Sequence, residues 1–102
     1  MLRTLEDNRD AIADACRKHG VAQLHVFGSA LRDDFQPGES DIDLLVEFEP
    51  MTPFELVDAY FDLLDGLREI LGAPVDLVMA DAIKNPYIVA DIERSKQALY
   101  AA

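Results

Sequence analysis

Apolar positions recur along this chain with two periods, about 3.6 and 2, and the switches between them predict its elements. Residues 5–19 place Leu5, Ile12, Ala15 and Cys16 on one face of a helix. Thr4 is its expected N-cap, Arg17 and Lys18 fall late, and Gly20 ends it. From residue 21 the period drops to two, and VAQLHVF predicts a strand with Ala22, Leu24 and Val26 opposite Gln23, His25 and Phe27. After Gly28 and Ser29, ALRDDF has room for one or two helical turns, and QPGES reads as a turn. DIDLLVEF is the second strand, with Ile42, Leu44, Val46 and Phe48 facing the core and Asp41, Asp43, Leu45 and Glu47 opposite.

The strongest helical pattern covers residues 52–71. Thr52 caps it, Pro53 stands in the first turn, Glu55 completes a capping box and Gly72 ends it. Val57, Tyr60, Phe61, Leu64, Leu67 and Leu71 make its apolar stripe, which reads as core. PVDLVMA, residues 74–80, is the third strand, with Asp76 an acid among apolar neighbours that would cost several kcal/mol if buried unpaired. A last helix starts near Asn85 and Pro86 and turns Ile88 and Ile92 inward, and Ala98, Leu99 and Tyr100 form a short packed tail. Three strands interleaved with helices make an α/β (α+β) chain.

Length adds that 102 residues form one domain, 1–102, since a second would not fit. No apolar run approaches the roughly 20 residues that span a bilayer. The N-terminus lacks a signal-peptide apolar segment, so no membrane association and a cytoplasmic location are expected. The lone Cys16 excludes an intrachain disulfide and suits a reducing compartment, and its place on the helix face makes it a small buried apolar residue. Twenty acidic against nine basic residues give a net charge of −11, which disfavours direct contact with nucleic acid. Solubility, concentration of Mg²⁺ and complementarity to a basic protein are the three uses of that charge. His19 and His25 lie on different elements without further ligands at zinc spacing and read as structural or solvated.

The chemistry concentrates in residues 27–48. Asp41 and Asp43 are two apart on a strand, so their carboxylates share a face. If the strand of Asp76 lies next to theirs, the third carboxylate joins them from about 5 Å away in the pairing direction. Three bare carboxylates so close would repel, and two Mg²⁺ ions with oxygen ligands remove that repulsion. Two-metal phosphoryl and nucleotidyl transfer uses this set. Asp41 and Asp43 then bind metal, Asp43 bridges the ions, and Asp76 completes the ion beside the acceptor and helps take the acceptor proton. The backbone after Gly28, with the Ser29 hydroxyl, offers donors to the outer phosphates at a helix N-terminus. Arg32 either adds charge to that clamp or pairs on the surface with Asp33 or Asp34. An Asp-x-Asp alone is weak; haloacid-dehalogenase-like phosphatases place the pair after an apolar strand, and metal-dependent glycosyltransferases need a larger chain. The upstream Gly-Ser and the acid on the next strand make the combined pattern specific.

FGSALRDDF followed by SDIDLLVEF resembles the motif of the polymerase-β-type nucleotidyltransferase superfamily, and PVDLV, NPYI and the overall length extend the match to its minimal members. Eleven residues separate Ser29 from Asp41 where ten is usual, an addition expected in an exposed turn near Gly38 and Glu39. The resemblance implies a small mixed sheet backed by helices and Mg²⁺-dependent transfer of AMP from ATP. It further implies an antitoxin of a type VII-like pair that modifies a tyrosine of a helical HEPN ribonuclease toxin and forms a hetero-oligomer with it. A binding-only antitoxin and transfer to a small molecule such as an aminoglycoside are the alternatives, the latter disfavoured because no second domain is present to hold the acceptor.

Overall fold

The computed structural model describes residues 2–31, 36 and 40–102. Its frame is a mixed four-stranded sheet in the order β3-β2-β1-β4, built from β1 (Val21–Phe27), β2 (Ile42–Phe48), β3 (Val75–Met79) and β4 (Gln97–Ala101). β1 pairs antiparallel with β2 and β4, whereas β2 and β3 are parallel. A parallel pair needs a crossover, which is the helix α3 (Pro53–Leu71). Helices α1 (Arg3–Asp7), α2 (Arg9–Lys18) and α4 (Pro86–Ser95) complete the architecture.

Period-two burial selects one face of the sheet. Leu24 and Val26 on β1, Ile42, Leu44 and Val46 on β2, and Val75 and Leu77 on β3 are all buried in one core. Leu5, Ile12 and Cys16 close it from α1 and α2, and Leu63, Leu64, Leu67 and Leu71 from α3. Val21 is buried as well as Leu24, although three residues apart they would alternate faces. A register shift between Val21 and Gln23 inserts the extra residue that allows it. Leu45, on the opposite face of β2, and Ile92 on α4 are also buried but stand apart from that core.

The ends of α3 follow its sequence signals. Thr52 Oγ1 accepts from the Glu55 amide at 3.3 Å, and Glu55 Oε1 accepts from the Thr52 amide at 3.2 Å. Gly72 terminates the helix at φ 59°, ψ 31°, the left-handed conformation glycine adopts without penalty. The Tyr60 hydroxyl donates to the Leu77 carbonyl at 2.6 Å and fixes α3 on edge strand β3.

Several expectations need correction. The helix over 5–19 is two helices divided at Asn8, whose side-chain amide donates to the Thr4 carbonyl at 2.8 Å, so Thr4 lies inside α1 and caps nothing. Val57 and Phe61 are 55% and 58% exposed, and Leu63 takes their place in the core. Ile88 is 50% exposed; Ile92 alone of that pair is buried. The tail is strand β4, paired with β1 and tied to α2 by the Arg9 guanidinium, which donates to the Ala98 carbonyl at 2.9 Å. ALRDDF begins as a short 3-10 turn, Gly28–Leu31, and the rest of it lies outside the described residues. Among the described residues no helix is long and apolar enough to cross a membrane.

Candidate active site

Three pieces of sequence meet at the start of β2. Asp43 is the register partner of Asp76 on β3, so their carboxylates leave the same face of the sheet side by side. On its other flank Asp43 faces Phe27, the last residue of β1, and Gly28 follows at once. Asp41 stands one residue before β2. Its carbonyl accepts from Ser29 Oγ at 3.3 Å, which ties the Gly-Ser turn to the strand start. The three predicted carboxylates thus arise at one end of the parallel pair, with the Gly-Ser turn beside them.

Gly28 explains why this turn has no side chain at its first position. Its φ of +71° is in the left-handed region. A Cβ there would overlap the Asp43 carboxylate and stand 3.2 Å from its Cγ. Backbone and carboxylate therefore pack against each other directly, and any larger residue at 28 must displace Asp43.

Asp43 is half-buried, and Asp41 and Asp76 are exposed. The desolvation cost that made Asp76 conspicuous in the sequence is not incurred; its register opposite Asp43 is what marks it. Like charges directly opposite on neighbouring strands repel, which sets this pair apart from the apolar pairs above it on β2 and β3. Among the described residues no group of three or more His, Cys, Asp or Glu side chains is placed to hold a metal ion. Asp43 and Asp76, carboxylates on one face of the sheet, are oxygen donors of the kind a hard divalent ion takes. The Gly28–Leu31 turn is shorter than a helix able to supply a dipole, and it offers local N–H groups and the Ser29 hydroxyl as donors. Arg32 lies outside the described residues, as do Gly38 and Glu39.

A model of the nucleotidyltransferase domain family matches residues 9–99. The chain belongs to that family. It is 49% identical over 76 residues to a provisionally named protein adenylyltransferase, MJ0128, of Methanocaldococcus jannaschii, a match covering 74% of each chain. Among solved structures it is similar to a provisionally assigned minimal nucleotidyltransferase, with a TM-score of 0.68 and 30% identity over 92% of this chain and 91% of that one. A toxin-antitoxin crystal structure with AMP-PNP gives a TM-score of 0.68 at 20% identity, covering 93% of this chain and 74% of the other, a likeness of fold. The small mixed sheet is thus the polymerase-β-like fold of a minimal nucleotidyltransferase.

Two further titratable groups of this nucleotidyltransferase lie away from the carboxylates. His25 faces Leu45 across β1 and β2, and burial, then repulsion from Lys96, lower its pKa, with Glu47 and Glu93 partly offsetting them. Cys16 is buried in the core, which pushes its thiol up to about 12 and leaves it unreactive, as its helix position predicts. What the periodicity did not disclose is the outward apolar row of α3, Phe54, Val57 and Phe61. The signal was present: at about 100° per residue these three cluster on a face turned away from Leu63, Leu67 and Leu71.

Proposed function

We propose that this chain, acting as one catalytic domain in the cytoplasm, transfers AMP from ATP to a hydroxyl of a partner protein. The acceptor in this reading is a tyrosine of a helical HEPN toxin that the chain neutralises as antitoxin. The observation that carries the proposal is the packing of the Gly28 backbone on the Asp43 carboxylate, with Asp76 in register beside it. Kinship with a provisionally named protein adenylyltransferase supports a protein acceptor. The toxin-antitoxin structure with AMP-PNP supports an adenine nucleotide and a toxin partner. An acidic chain of net charge −11 suits a basic RNA-cutting partner.

Asp41, Asp43 and Asp76 would hold two Mg²⁺ ions, which supply charge neutralisation at the α-phosphate and at the leaving pyrophosphate. The Gly-Ser turn binds the outer phosphates through its N–H groups and the Ser29 hydroxyl, and Arg32 adds a positive charge to that clamp. Asp76, on the edge strand, accepts the proton of the acceptor hydroxyl as its oxygen bonds to the α-phosphorus and the bond to the β-phosphate bridging oxygen breaks. Pyrophosphate departs with the electron pair of that bond. Asp43, held by Gly28, keeps the carboxylates in the geometry this requires.

The test is label transfer from ATP in the co-purified complex with its toxin, in the presence of Mg²⁺. Asp41→Asn with Asp43→Asn should abolish transfer with the fold retained by circular dichroism, and chelation should do the same to the wild type. Transfer that persists in the double variant ends the proposal. A double variant that lacks transfer yet neutralises the toxin at full strength replaces it with the binding-only antitoxin.

A further inference from the structure

Two clefts lie away from the carboxylates. A cleft of about 290 Å³ lies at the other end of β2 and β3, bordered by Glu47, Glu49 and Asp81. An apolar hollow of about 200 Å³ adjoins it, formed by Val57, Tyr60 and Phe61 of α3. Leu56 and Met79 line both, so the two are one continuous groove. Val57 and Phe61, at 55% and 58% exposure, form its apolar side on α3, and Phe54, 87% exposed, lies about one turn before them on the same helix. Asp58, Asp62 and Asp65, all exposed, occupy the next face of the same helix. Acids therefore flank an apolar row on both sides. Among the described residues no Lys, Arg or His lines either part of the groove. The nearby Lys84 ammonium is engaged with the Asp81 carbonyl at 2.8 Å.

From this we infer that the groove is a docking site for an amphipathic helix of a partner protein whose apolar face is bordered by Lys or Arg. The apolar anchors at 54, 57 and 61 have the i, i+3, i+7 spacing that meets a second helix laid alongside. The double acidic border selects a basic occupant, and a second copy of this acidic chain would bring like charges against it. Three residues of strand, about 10 Å, separate Asp43 from Val46 and Asp76 from Met79, so a docked helix leaves the carboxylates open. That this helix belongs to the acceptor rests on the transferase reading above; the groove's preference for a cationic helix does not.

The probe is a fluorescent, amphipathic Lys/Leu peptide of about 18 residues, long enough to hold a helix on binding. Its Glu/Leu counterpart serves as control, and both are titrated with the full chain by anisotropy at physiological salt. The Lys/Leu peptide should bind and the Glu/Leu peptide should not. Val57→Ser with Phe61→Ser, both at exposed positions, should weaken binding at least about tenfold. Asp41→Asn with Asp43→Asn should leave it unchanged. Equal binding by the serine variant would reduce the contact to general charge attraction and overturn the inference. So would a concentration-dependent dimer of the chain that Phe61→Ser abolishes, since a second copy would then be the occupant. Tight peptide binding by the wild-type chain, with no label transfer in its co-purified complex, would leave the groove standing and remove the transferase reading alone.

Discussion

Strand β2 carries two surfaces governed by different physics. Toward the helices, Ile42, Leu44 and Val46 are at most 1% exposed and hold the fold together by burial. On the other face Asp43 is half-buried beside Asp76, against a glycine that permits no side chain. One face is set by volume and the other by charge, and substitutions should separate stability from activity along a single strand. Asp43→Asn removes a charge but little volume. It should lower kcat/KM for AMP transfer at least about 100-fold, near 2.7 kcal/mol, with the urea midpoint shifted far less than by a core substitution. Leu44→Ala should do the reverse, costing about 2–5 kcal/mol in urea unfolding while each folded molecule keeps its activity. A stability loss for Asp43→Asn comparable to that for Leu44→Ala would erase the distinction.

Gly28 is where the two surfaces meet, and it sharpens the comparison. An alanine there must both adopt a left-handed φ, at about 1–2 kcal/mol, and displace the Asp43 carboxylate. Gly28→Ala should therefore lose both stability and most of its transfer activity. Binding of ATP, followed by isothermal titration calorimetry, should weaken with it. Activity within twofold of wild type would mean that the contact with Asp43 has no catalytic role.

On the volume-governed side, Cys16 offers a test by pH. Its thiol, near 12 in the folded chain, is raised above the ordinary 9.0. A raised pKa means that the unfolded chain loses this proton first, so the stability it contributes is complete below about pH 9 and is lost as pH rises toward 12. The slope attributable to one such group approaches about 1.4 kcal/mol per pH unit. Cys16→Ala should flatten the alkaline limb of urea stability against pH by that amount, and the wild-type thiol should resist alkylation at pH 8 until urea unfolds the chain. Rapid alkylation of the native protein would contradict the burial.

Much of this was legible because the relevant signals are local. The Asp-x-Asp at the head of an alternating apolar run marks the start of β2, and Thr52, Glu55 and Gly72 cap α3 as their chemistry dictates. The core strands were plain for the same reason. What periodicity cannot say is which apolar residues find a partner. Val57 and Phe61 match the core stripe of α3 by composition, yet they are more than half exposed while Leu63 and Leu67 are fully buried. Strand β4 was missed because QALYA carries little alternation and is paired only by its long-range neighbour β1. Asp76 stood out on two grounds: the burial one does not apply, since it is exposed, whereas the expected neighbouring strand is there and sets it in register with Asp43.

The smallest expected effect isolates the backbone component of the Gly28 result. Gly72 has a left-handed φ of +59°, close to the +71° of Gly28, but a Cβ there would meet nothing within 4 Å. Gly72→Ala should thus cost only the conformational penalty, about 1 kcal/mol, read as a lower urea midpoint at constant m-value. Transfer activity should be unchanged, because α3 still ends on the same turn and the carboxylates lie elsewhere. Subtracting this cost from that of Gly28→Ala leaves the contribution of the Asp43 contact. If the two alanine variants were equally destabilised and equally active, contact between the Gly-Ser turn and Asp43 would carry no energy of its own, and the charged face of β2 would need another explanation for its glycine.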